Sequence, residues 1–95
     1  MRLESEDCRE MYHRFFESGY YTLDVSERLS QSGICPKRRD DSTITYCFGK
    51  MEITMYHPRG NCEAVVMIDC DDMARVERVK RLLEHAIGIR FRIIE

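Results

Sequence analysis

The segment around Asp69 constrains the fold most, because the spacing of its apolar residues changes there. Residues 62–69, CEAVVMID, are apolar on both faces of an extended chain, which is typical of a strand that is central or covered twice. Beyond Asp69 the spacing becomes three and four, which predicts an amphipathic helix over residues 71–87 that ends at Gly88. Its apolar stripe consists of Met73, Val76, Val79, Leu83 and Ile87. A buried strand followed at once by a helix is therefore the central element of the predicted fold.

Three aspartates, Asp69, Asp71 and Asp72, surround Cys70 at this boundary. An N-cap needs one side-chain oxygen and tolerates further acids, because the helix dipole favours negative charge there. A calcium site needs about six oxygens on a loop, and no glycine-bearing calcium loop follows. We therefore predict that Asp71 or Asp72 caps the helix, and the sequence predicts neither a metal nor a cofactor.

Alternating apolar residues predict strands on both sides of Gly49-Lys50, in STITYCF and MEITMYH. Glycine at the first central position indicates a two-residue type II′ hairpin. One face of the first strand carries Ile44, Tyr46 and Phe48, and one face of the second carries Met51, Ile53 and Met55. HPRGN at 57–61 predicts the next turn. A last strand is predicted in IRFRIIE, where Ile89, Phe91 and Ile93 alternate with Arg90 and Arg92.

The spacing of apolar residues in the amino-terminal third of the chain favours helices over strands. Ser5 is placed to cap a helix that ends at Gly19. Its apolar stripe consists of Cys8, Met11, Tyr12, Phe15 and Phe16. Residues 20–33 fit either a helix or a strand, and a short surface helix over about 24–32 is favoured because only Val25 and Leu29 are apolar there. SGICPKRRDDS, residues 32–42, is predicted to be a loop.

These elements predict one domain over residues 1–95, in the order α-(α)-β-β-β-α-β. The fold class is α+β. We expect a two-layer sandwich in which two or three helices cover one face of a mainly antiparallel, four-stranded sheet.

Composition excludes several classes of protein. A net charge of −2 provides no overall attraction to nucleic acid or to anionic membranes. No apolar run approaches the roughly 18 residues of a membrane span. The first residues, MRLESEDCRE, lack the apolar segment of a signal peptide, and the five cysteines contain no CxxC pair. We predict a cytoplasmic protein with reduced thiols and no membrane partner.

The sequence favours a non-enzymatic protein. His13, His57 and His85 fall on three different predicted elements. A Cys/His site from His57 and Cys62 is the least favoured function, because nothing orients a third partner. The phosphate-binding, hydrolase and zinc-protease motifs are also lacking.

Self-association or binding to another protein is the leading prediction. Two modest helices cannot cover Tyr46, Tyr56, Val65 and Met67 together. An apolar sheet face that stays open marks an interface, and the six methionines provide adaptable contacts. A homodimer or a complex with a protein partner is therefore expected.

Nucleic-acid binding is the alternative. Six bases occupy the last quarter of the chain, on the predicted helix and the last strand: Arg75, Arg78, Lys80, Arg81, Arg90 and Arg92. Together they could contact a phosphate backbone. A solvated helix face explains them equally simply and is ranked above this alternative.

Overall fold

The computed structural model describes residues 1–17, 19–57 and 63–94, with the side chains of residues 19–24 left undescribed. The helices are α1 (Cys8–Tyr12), α2 (Gly19–Gln31) and α3 (Met73–Ile87), and a π-helical turn (His13–Glu17) follows α1 directly. The strands are β1 (Arg2–Ser5), β2 (Cys35–Arg39), β3 (Thr43–Phe48), β4 (Met51–Tyr56), β5 (Val65–Ile68) and β6 (Phe91–Ile94). The predicted α+β class is confirmed.

The sheet has six antiparallel-paired strands in the order β2-β3-β4-β5-β1-β6. The predicted four-stranded sheet was wrong, since it lacked β1 and β2. The predicted two-layer sandwich therefore does not match the structure exactly, because its sheet layer has six strands. Strand β1 lies between β5 and β6, so the connection through α3 joins two strands that are not neighbours. The predicted element order therefore lacked β1 before the first helix and β2 before the hairpin.

Strand β1 replaces the predicted start of the first helix. Leu3 is fully buried, and the Met1 amino group donates a hydrogen bond to the Ile68 carbonyl over 2.6 Å. Ser5 ends this strand and does not cap a helix. The cap is Asp7, whose side chain accepts a hydrogen bond from the Glu10 amide over 3.0 Å. The strand escaped detection because RLES contains a single apolar residue.

The loop predicted over residues 32–42 was wrong at its centre, where Cys35–Arg39 form strand β2. It is an edge strand whose five residues are all exposed, and its pairing with β3 shifts register between Pro36 and Arg38. Proline, basic side chains and a bulge are the usual means of protecting a sheet edge against further pairing. This strand is therefore held by backbone hydrogen bonds to β3, and these leave no pattern of apolar residues in the sequence.

Helix α2 settles the ambiguity over residues 20–33 in favour of helix. It lies at the surface, since four of its seven described side chains are exposed, but its apolar face is part of the core. Val25 and Leu29 are fully buried in the common core. Gly19 opens this helix and does not end the preceding one. Gly33, at φ 89°, follows the helix end as predicted.

The hairpin and the cap of α3 follow the sequence prediction. Gly49 has φ 62°, and no non-glycine residue described here has a positive φ, which is the pattern of a type II′ turn. Asp72 caps α3, since its Oδ1 accepts a hydrogen bond from the Ala74 amide over 3.0 Å. Gly88 ends the helix at φ 78°. The turn predicted at 57–61 lies almost entirely outside the described residues.

The core occupies one face of the sheet. Residues paired across antiparallel strands share a face, and the partners Tyr46 and Ile53, then Ile53 and Ile68, are all buried. The helices contribute to the same cluster through Met11, Phe15, Val25, Leu29, Val76, Val79 and Leu83. Among the described residues, no helix covers the opposite face, which we call the open face.

Candidate interaction surfaces

The open face carries an apolar patch formed by Tyr56, Val65, Met67 and Ile94. Register places its members together: Tyr56 pairs with Val65, while Arg2 is the partner of both Met67 and Ile94. Its members lie on β4, β5 and β6, and with the intervening β1 the patch extends over about 15 Å at the usual strand spacing. Arg2 therefore lies between Met67 and Ile94 on this face. A sheet face that leaves several apolar side chains uncovered is a candidate interaction site.

A shallow groove runs along this patch. It has a volume of about 730 Å³ and is lined by Met1, Arg2, Tyr56, Met67 and Ile94. Met67 is the most exposed large apolar side chain of the sheet, at 39%. Tyr56 and Val65 are half-buried, so each retains contact area for a partner. The sequence predicted Tyr56, Val65 and Met67 here, but it missed Ile94 because β1, which joins β6 to β5, was not recognised.

Charged residues border the patch in pairs of opposite sign. Glu4 lies 3.9 Å from Arg2 and 3.3 Å from Arg92. Towards the β2 edge of the same face, Glu52 contacts Lys37 and lies 3.9 Å from Arg38. The hydrogen bond and positive charge of Lys37 lower the pKa of Glu52. Each border therefore contains acidic and basic side chains that form ion pairs with one another.

Tyr46 does not belong to the open face, so its predicted interface role was wrong. It is fully buried on the helix-covered face, because α2 packs where the sequence left β3 uncovered. Its hydroxyl lies 3.0 Å from the Ser26 hydroxyl on α2. Burial raises the pKa of Tyr46, and the Ser26 hydrogen bond and the charge of Arg39 partly oppose that effect. Tyr46 joins α2 to the sheet.

A second surface, the cationic cleft, lies beside the β3–β4 turn. Its volume is about 490 Å³, and it is lined by Phe48, Gly49, Lys50, Met51, Arg75 and Arg78. The Arg78 guanidinium lies 5.8 Å from the centre of the Phe48 ring, within cation–π range. Arg75 lies 3.8 Å from Asp72. Lys50 was not predicted as a site residue, since only the fold brings it to α3.

The six predicted bases do not form one surface. Lys80 lies 3.5 Å from Glu84, and Arg81 lies 3.8 Å from Glu77. Arg92 pairs with Glu4 beside the apolar patch, while Arg90, also exposed, lies in the segment between α3 and β6. Only Arg75 and Arg78 of the predicted set line the cationic cleft. Acids on the same helix or on a neighbouring strand therefore pair with several of the predicted bases.

His57 occupies an aromatic environment. Its ring meets those of Tyr12 and Phe16 edge-on, at centroid distances of 4.8 and 4.5 Å. Its Nε2 lies 3.3 Å from the Asp41 carbonyl, and its buried Nδ1 has no hydrogen-bond partner among the described residues. Cys62 lies outside those residues, so the predicted Cys/His pairing remains a prediction. The visible contacts of His57 are those of a packed ring.

Other kinds of site find little support in the described ranges. No three His, Cys, Asp or Glu side chains there are grouped to hold a metal ion. None of the helices within 1–17, 19–57 and 63–94 is both long and apolar enough to span a membrane. No family model, curated protein or solved structure significantly matches the chain. Functional inference therefore depends on the apolar patch and the cationic cleft.

Proposed function

We propose that this protein is a non-enzymatic self-association module whose apolar patch binds the same patch of a second copy. The observation that carries the proposal is the one-sided covering of the sheet. Apolar residues from β4, β5 and β6 remain on the open face, centred on Met67. Burying such a surface in a partner would remove it from water. We propose a cytoplasmic location, in keeping with the free thiols of the four described cysteines.

The border charges favour a second copy as the occupant. Glu4 contacts both Arg2 and Arg92, so the edge of the patch presents both signs of charge and is better matched to an identical edge than to a partner of a single sign. The same pairing reduces repulsion between two identical surfaces. A twofold arrangement brings one patch against itself, as in most homodimers.

Replacing Met67 with lysine is expected to weaken this association at least about tenfold, equivalent to about 1.4 kcal/mol. The reason is that the new ammonium group would be buried at the centre of the interface without a partner. Sedimentation equilibrium across the micromolar range measures the effect. The unmodified chain should approach the mass of a dimer, and Met67→Lys should remain monomeric.

Met73→Lys is the matched control. Met73 has nearly the same exposure, 38%, but it begins α3 and lies outside the patch. It should leave the dimer intact. A monomer at every concentration of the unmodified chain, or equal weakening by both lysines, would contradict the proposal.

Nucleic-acid binding at the cationic cleft is the second candidate. Lys50, Arg75 and Arg78 converge on one cavity with the Phe48 ring, an arrangement suited to a phosphate and a base. It ranks second because the chain has a net charge of −2 and several neighbouring bases are paired with acids.

Titration with duplex DNA and single-stranded RNA at about 50 and 200 mM salt distinguishes the two functions. We expect no binding above that of an unrelated protein of similar charge. Binding that falls steeply with salt, is lost in Arg78→Gln and survives in Arg81→Gln would instead assign function to the cleft. Arg81 is the matched control because it lies on the same helix, pairs with Glu77 and does not line the cavity.

A further inference from the structure

Two cysteines face each other across the β2–β3 pair. Cys35 and Cys47 are direct partners in this antiparallel ladder, and both are free thiols. Directly opposed residues have Cα atoms about 4.5 or 5.5 Å apart, within the 4.4–6.8 Å that a disulfide spans. Opposed residues also project from the same side of a sheet. The separation and direction required for a disulfide are therefore present before any oxidation.

The position of the pair makes it accessible. Cys35 is exposed on the edge strand β2, and Cys47 is partly exposed on β3. The other described cysteines have different surroundings. The Cys8 sulfur lies 3.6 Å from the Ser5 hydroxyl, and the Cys70 sulfur accepts a hydrogen bond from the Asp72 amide over 3.4 Å. Neither is opposed to another described cysteine in the sheet.

We propose that Cys35 and Cys47 form a reversible oxidative modification site that reacts with low-molecular-weight disulfides. The Cys35 thiolate attacks one sulfur of the disulfide, forming a mixed disulfide and releasing one thiol. The Cys47 thiolate then attacks the Cys35 sulfur and releases the second thiol. Two protein thiols are oxidised, one disulfide is reduced, and the two protons pass to the released thiols.

The test is treatment of the folded protein with glutathione disulfide, followed by blocking of free thiols and tryptic digestion without reduction. We expect residues 29–37 and 40–50 to be recovered as one linked species, which dithiothreitol separates. These two peptides each contain one cysteine, since Lys37, Arg38 and Arg39 provide cleavage sites between them. Cys47→Ser should abolish the linked species and leave Cys35 as a glutathione adduct. Cys8→Ser and Cys70→Ser are the controls and should retain it.

Unfolding the chain in urea separates the effect of the fold from that of sequence distance. Cys62 and Cys70 are closer in sequence than Cys35 and Cys47. The cost of closing a loop rises with its length, so the unfolded chain should lose its preference for the proposed pair. A folded protein that yields only separate glutathione adducts, or random pairs like those of the unfolded chain, would overturn the proposal. This outcome is independent of self-association, because neither cysteine belongs to the apolar patch.

Discussion

Replacing Leu3 with alanine is expected to lower the free energy of unfolding by about 2–5 kcal/mol, the range for truncating a buried leucine. The side chain is fully buried, and its strand is paired on both sides, with Val66 in β5 and Ile93 in β6. A cavity there would weaken contacts with both neighbours. Equilibrium denaturation in urea, monitored by circular dichroism, measures the change.

Arg2→Ala is the control for this experiment. Arg2 belongs to the same strand but projects from the open face, where it is exposed and lies 3.9 Å from Glu4. Exposed ion pairs contribute little, so its loss should change stability by less than about 1 kcal/mol. Equal effects of the two substitutions would contradict a buried β1.

Removing the Tyr46 side chain should have a comparable or larger effect. Tyr46→Ala is expected to cost about 3–5 kcal/mol, as for other buried aromatic residues. The substitution leaves a large cavity between β3 and α2 and removes the partner of the Ser26 hydroxyl. Urea denaturation at neutral pH is the measurement.

Tyr56→Ala is the corresponding change on the open face. Tyr56 is half-buried in the apolar patch, so alanine there should weaken self-association while leaving the monomer much more stable than Tyr46→Ala does. Measuring stability well below the dimer dissociation constant keeps the two effects separate. The converse result, a monomer destabilised mainly by Tyr56→Ala, would refute the assignment of the two tyrosines to opposite faces.

The elements that sequence reasoning identified are those with several apolar residues at regular spacing. Helix α3 has five in its stripe and ends at Gly88, and the β3–β4 hairpin combines alternation with a specific turn. Strand β1 contains only Leu3, and β2 is polar and contains Pro36. Their pairing depends on backbone groups and on distant partners. Periodicity therefore could not identify them.

The candidate site was predictable only in part, for the same reason. Alternation in β5 placed Val65 and Met67 opposite the core-facing Val66 and Ile68, and the structure agrees. Deciding whether Tyr46 was covered required knowing that α2 packs over it. The segment predicted for that helix, residues 24–32, has only Val25 and Leu29 as apolar residues, so its packing over Tyr46 follows from the three-dimensional arrangement rather than from its own sequence.

The insertion of β1 between β5 and β6 affects the order in which the sheet can assemble. Strands β2, β3 and β4 are joined by short connections and can pair as soon as they are synthesised. Strand β1 is made before them, yet its two partners come from the last third of the sequence. A nascent chain that has not reached β6 can pair only one side of β1, leaving an open edge available to other chains. Slow translation through residues 69–90 would therefore prolong the interval in which this protein is most prone to aggregate.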